Sequence, residues 1–268
     1  MHPLLLHALL ALGTTFAGVL VLSLIVTFFG KYVSQFATRA PGLDLIVASM
    51  TWIPWVIAVW RFGWIGLPAA ILGQMIALAV WCWIHEAMHP EARRGPRIVK
   101  FINRTVGRWQ NHVALWVTVV ALPAFWLIRI MEMSLYWLLP ALLGFPKYKQ
   151  SEWINVSRQK FDGLIGHDLV WCLYCDWMTG VYSLGAEMLR NVESFWCPIR
   201  FYDGKKCDNC KLDFPDIEGG WVKETGTMAD VVNVMEEKYA GDSKAWFGHP
   251  VRLTVKGEEL KPDSEPRV

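Results

Sequence analysis

No charged side chain occurs between Leu4 and Phe29, where only small residues, hydroxylated residues and His7 interrupt the apolar run. A helix over this segment is long enough to cross a hydrocarbon core about 30 Å thick. No Lys or Arg precedes it, and the run is longer than the core of a signal peptide, so a retained helix is expected. A second apolar run from Leu43 to Trp60 and a third from Phe62 to Ile84 are separated by Arg61. This predicts a tight hairpin with Arg61 at one membrane surface and Trp52, Trp55, Trp60 and Trp64 near an aromatic belt. Pro54 and Pro68 are expected to start or kink these helices.

The fourth run, Val113 to Phe145, exceeds one span and carries Arg129, Glu132 and two prolines. It is compatible with one long helix, a span followed by an interfacial helix, or two re-entrant halves. Arg129 and Glu132 stand at i, i+3 and can pair on one face, and an interfacial ion pair is the expected arrangement. After residue 147 the pattern changes. Val181 to Glu193 predicts a packing helix with Leu184, Met188, Leu189 and Val192 on its apolar side and Glu187, Arg190, Asn191 and Glu193 elsewhere. Val251 to Val255 predicts a short strand, followed by a charged, proline-containing tail expected to be mobile.

The expected fold is therefore mainly α: a polytopic membrane bundle of about four transmembrane helices over residues 1–146, then a small cysteine-containing extramembrane domain over residues 147–268. Composition agrees. Of 268 residues, 54% are hydrophobic, 19% are charged and 16 are Trp, an apolar and interface-favouring mixture. The net charge of +2 gives no concentrated basic surface for nucleic acid, so that partner class is set aside. The partners expected are the lipid bilayer and other subunits of a membrane complex. The localisation expected is a multi-pass position in a bacterial inner membrane.

Between His85 and His112 lie Arg93, Arg94, Arg97, Lys100, Arg104 and Arg108, opposed only by Glu86 and Glu91. By the positive-inside rule this segment is cytoplasmic, which places the N-terminus and Arg61 outside. The side reached by the cysteine domain depends on whether the fourth run crosses once.

At the end of the third run, His85-Glu86-Ala87-Met88-His89 forms an H-E-x-x-H pattern. On a helix the two imidazoles lie one turn apart and can hold one ion, with Glu86 as the candidate general base of a zinc protease. Pro90 follows at once, and the nearest acidic third ligands are Asp162 and Asp168. His112 begins the fourth run on the same expected face, so His85, His89 and His112 are candidate ligands at one membrane level. The spacing resembles the first histidine box of membrane di-iron desaturases and hydroxylases; the further His-x-x-His-His boxes of those families are absent. The bland alternative is a polar helix end facing water and headgroups.

Five cysteines cluster downstream: Cys172 and Cys175, Cys197, and Cys207 and Cys210. Two C-x-x-C pairs can supply the four thiolates of a zinc or iron site, and Cys197-Pro198 adds a cluster-like step suited to iron–sulfur chemistry. His167 is a spare ligand, and Trp171, Trp177 and Trp196 are expected to shield the site. In an oxidising compartment the same residues form disulfides, and they can also be plain buried thiols. The leading expectation is a membrane metalloprotein in redox chemistry or electron transfer, with iron, an iron–sulfur cluster or zinc as cofactor. The alternatives are a non-catalytic accessory subunit with a zinc- or disulfide-stabilised docking domain, and the zinc protease.

Overall fold

A computed structural model describes residues 2–145, 147–200, 221–239, 251–252 and 259–260. Cys207, Cys210 and the charged tail lie outside these residues. The chain is mostly helical. Helix α1 is Pro3–Phe29, and a 3-10 turn at Gly30–Val33 leads to α2, Ser34–Thr38. Then come α3 (Gly42–Met50), α4 (Trp52–Phe62), α5 (Gly66–Met88), α6 (Pro90–Arg94), α7 (Ile98–Val106), α8 (Arg108–Thr118) and α9 (Leu122–Leu143). The second half adds α10 (Gln150–Trp153), α11 (Gly166–Trp196) and α12 (Met228–Tyr239). Strands β1 (Val251–Arg252) and β2 (Glu259–Leu260) pair antiparallel, so only the start of the expected 251–255 strand is among the described residues.

Among the described residues, three helical stretches are long and apolar enough to cross a membrane: Pro3–Thr38, Gly66–Met88 and Arg108–Leu143. The pair α3 and α4 makes a fourth if it is one broken span, bent by 45°. The fourth apolar run is thus one helical stretch, with a 3-10 segment at Val119–Ala121 joining α8 to α9.

Contacts divide the chain into two compact units, Met1–Val120 with Ile154–Met178, and Ala121–Trp153 with Thr179–Val268. In the first unit the core is built on small residues. Buried Ala11, Thr15, Val19 and Ser23 recur every fourth position on α1, and Gly66, Ala69, Ala70, Gly73 and Ala77 line the buried side of α5. Gly73 is required there, because a Cβ at that position would lie 2.6 Å from the Leu12 carbonyl oxygen. Close backbone approach of this kind is what packs helices together in lipid, where no hydrophobic force drives them. Leu4, Leu9, Val21, Ile25 and Phe28 point outward instead, as side chains facing lipid would.

The bend between α3 and α4 has an identifiable cause. Pro54 cannot donate to the Met50 carbonyl four residues back. Gln74 on α5 donates through Nε2 to both Met50 O and Thr51 O, and its Oε1 accepts from Trp55 Nε1. A single amide thus satisfies the carbonyls freed by the break. The hairpin between α4 and α5 turns at Gly63, whose φ of 72° favours glycine, with exposed Arg61 in the last turn of α4.

In the second unit, Arg129 is fully buried and pairs with Glu132 at 2.9 Å, with Gln150 Oε1 also 2.9 Å away. The expected surface position of this pair is corrected: both charges are inside the protein and hold each other there, as buried charges must. Helix α11 starts at Gly166 rather than near Val181 and carries Cys172 and Cys175 within it. Its buried positions include Val181, Leu184, Met188 and Asn191, whereas Leu189, expected inside, is 66% exposed. Glu187, expected outside, is buried because Arg190 caps it with hydrogen bonds of 2.7 and 2.8 Å.

Candidate functional site

Both sequence motifs that suggest chemistry belong to the first unit, at the end of α5 and on the first half of α11. Helix α5 ends at Met88, with His89 as its C-cap and Pro90 opening α6. The His85 and His89 rings stack with centroids 4.6 Å apart. The backbone N–H of Gly166 donates to His85 Nδ1 at 3.2 Å. That partner puts the His85 proton on Nε2, so neither ring nitrogen offers a lone pair to a metal. His89 Nδ1 lies 2.8 Å from the His85 carbonyl and donates to it, which leaves His89 Nε2 as an acceptor.

Glu86 is held by other residues. Its Oε1 accepts from an Arg97 amino group at 2.9 Å and from the His167 backbone N–H at 3.4 Å. Arg97, in the turn before α7, also donates through Nε to Asp168 Oδ2 at 2.7 Å and to the Ile165 carbonyl at 3.1 Å. Asp168 Oδ1 accepts from the Val99 backbone N–H at 3.0 Å. The result is a buried bridge from α5 through Arg97 to the first turn of α11. Burial disfavours the charged form of Arg97, but the two carboxylates outweigh it and raise its pKa above the ordinary range. Burial likewise works to raise Asp168, and the neighbouring His167 ring and Arg97 guanidinium hold it below the usual carboxylate range.

His112 packs edge-on against His167, with ring centroids 5.0 Å apart. His167 Nε2 accepts from Trp171 Nε1 at 3.1 Å, and Trp171 in turn meets Trp116 at a centroid distance of 5.5 Å. Among the described residues no three His, Cys, Asp or Glu side chains converge as a ligand group. The structure therefore brings His85 to His89 and His112 to His167.

The C-x-x-C face is built differently. Cys172, half-buried, and Cys175, exposed, lie on α11, and neither is in a disulfide among the described residues. From the 3-10 turn at Arg158–Lys160, Arg158 Nε reaches Asp176 Oδ1 at 2.8 Å. Asp176 Oδ2 also accepts from the backbone N–H groups of Ser157 and Arg158, at 3.3 and 3.4 Å. This holds the guanidinium beside the helix; burial disfavours its charge, but Asp176 and the Cys175 and Cys172 sulfurs outweigh it and raise its pKa. Trp177 packs in the interior, donating to Asp44 Oδ1 at 3.1 Å. Exposed Cys197 follows α11 in the second unit, and Cys82 lies half-buried in α5.

The roles of Arg97, Arg158 and Asp176 were not anticipated. Asp168 in the first turn of a helix was a legible signal; a single arginine within a basic loop carried none. No family model, curated protein or solved structure matches this chain.

Proposed function

We propose that the protein is a multi-pass membrane metalloprotein of electron transfer, whose metal is held by thiolates that include Cys172 and Cys175. The observation that carries this reading is two cysteines one turn apart on an uninterrupted helix, followed at once by Asp176, which holds the Arg158 guanidinium. Positions i and i+3 of a helix hold their Cβ atoms about 5–6 Å apart, whereas a disulfide needs about 3.5–4.5 Å. Closing a disulfide here requires distorting the helix. Directing both sulfurs onto one ion at about 2.3 Å does not.

A divalent ion with several thiolates carries excess negative charge, which Arg158 offsets. An iron centre there would be tuned by a cation at its thiolates, which favours the reduced, more negative state, and Arg158 is the residue placed to supply it. Cys207 and Cys210, with the same spacing, are assigned as the remaining thiolates on sequence grounds alone. The histidines at the end of α5 are left out, because His85 Nδ1 accepts from the Gly166 N–H and His89 Nε2 alone is left to ligate. Glu86, committed to Arg97, gives the protease reading no free base.

The test is the absorption spectrum of the full-length protein purified in detergent. Thiolate-to-iron bands that bleach on reduction and vanish in Cys172→Ser are expected. A colourless protein with stoichiometric zinc would replace this reading with an accessory subunit carrying a zinc-stabilised docking domain. A metal-free protein with a Cys172–Cys175 disulfide would overturn it.

A further inference from the structure

Beyond the end of α5 lies a cavity of about 540 Å³ whose lining includes Arg93, Arg94, Arg97 and Lys100, opposed by Glu86 alone. We propose that this cavity binds the phosphate of an anionic phospholipid; the inference is independent of the thiolate centre.

The cations differ in what they have left to offer. Arg97 is consumed by Glu86 and Asp168 and serves as the floor. Lys100 Nζ is fixed by the carbonyls of Arg93 and Gly95, at 2.8 and 3.2 Å. Arg93 and Arg94 are exposed, and neither has a salt bridge among the described residues. Two adjacent guanidiniums with open N–H forks match a phosphate better than a point charge would.

Position supplies the second argument. The cavity opens where an apolar stretch long enough to cross a membrane, Gly66–Met88, ends, which is the depth of lipid headgroups. Helix α7 continues that level. Ile98, Phe101 and Val106 are exposed on one of its faces, Lys100 stands on the opposite one, and Arg104 flanks the apolar face with its guanidinium 5.8 Å from the Phe101 ring centroid. A short helix patterned in this way lies in the interface plane with its apolar side among acyl chains. Trp109, 77% exposed just beyond it, is the residue type that anchors such a boundary. A soluble anion would account for the cations but not for the exposed apolar face beside them.

The test is native mass spectrometry of the full-length, delipidated protein in detergent, titrated with phosphatidylglycerol, phosphatidylcholine or inorganic phosphate. Phosphatidylglycerol adducts should dominate. Arg93→Gln and Arg94→Gln should each weaken them about fivefold, and together about twenty-five-fold. Arg61→Gln, at an exposed position in the last turn of α4, should leave them unchanged. Equal retention of phosphatidylcholine, indifference to both substitutions, an equal loss in Arg61→Gln, or arginine-dependent capture of inorganic phosphate without lipid would each overturn the proposal.

Discussion

Replacing Arg97 by alanine tests the buried bridge at the end of α5 most severely. The substitution removes hydrogen bonds to Glu86, Asp168 and the Ile165 carbonyl. It leaves two carboxylates facing one another, with side chains only 19% and 4% exposed. Removing one partner of a buried ion pair costs about 3–5 kcal/mol. For a chain of this size, that corresponds to a fall in melting temperature of roughly 10 °C. Asp168→Asn should cost less, about 2 kcal/mol, because its oxygen can still accept from Val99 while its amide opposes the Arg97 donor. Glu86→Gln should cost about 1 kcal/mol, since an amide oxygen accepts both existing hydrogen bonds. Thermal unfolding of the three variants in detergent, followed by tryptophan fluorescence, should therefore rank Arg97→Ala, Asp168→Asn and Glu86→Gln in decreasing order of damage. If Arg97→Ala melts within about 2 °C of the native protein, or if Glu86→Gln is the worst of the three, the bridge is not what joins these elements.

The same pair gives a pH dependence. Because Asp168 is held below its ordinary pKa, its charged form contributes stability that is complete above about pH 4 and is lost as pH falls through the folded value. The difference in melting temperature between native and Asp168→Asn should thus be full at pH 7 and shrink at pH 3. Gln74→Leu should destabilise by about 1–3 kcal/mol by orphaning the Met50 and Thr51 carbonyls, measured by thermal unfolding. Gly73→Val should do at least as much harm by forcing α5 off the α1 backbone, and should raise the accessibility of Cys82 to a maleimide probe.

The apolar spans were legible because a long charge-free run has one solution in lipid, a helix that satisfies its own backbone. The α4–α5 hairpin was legible at Arg61, since a charge between two apolar runs marks a surface turn, whereas the left-handed backbone of Gly63 shows only in the fold. The break at Thr51 was only half legible: Pro54 announces lost hydrogen bonding, but nothing local shows that Gln74, from another helix, restores it. The extent of α11 was misjudged because Asp176, Glu187, Arg190 and Asn191 read as surface polarity in a one-dimensional pattern. A buried charge held by a neighbour on its own helix erases that pattern, as Arg190 does for Glu187 three residues before it. The H-E-x-x-H motif showed the opposite failure. Its residue types and spacing suit a metal, but Gly166 and Arg97, distant in sequence, take the nitrogen and the carboxylate that such a site would need.

The metal content of the full-length protein, measured by elemental analysis alongside Cys172→Ser and Cys175→Ser, bears most directly on the proposed thiolate centre. Stoichiometric iron in the native protein, lost in either variant while the melting curve keeps its cooperative form, is the predicted result. Native protein without bound metal, or with iron retained in full by both variants, would contradict it.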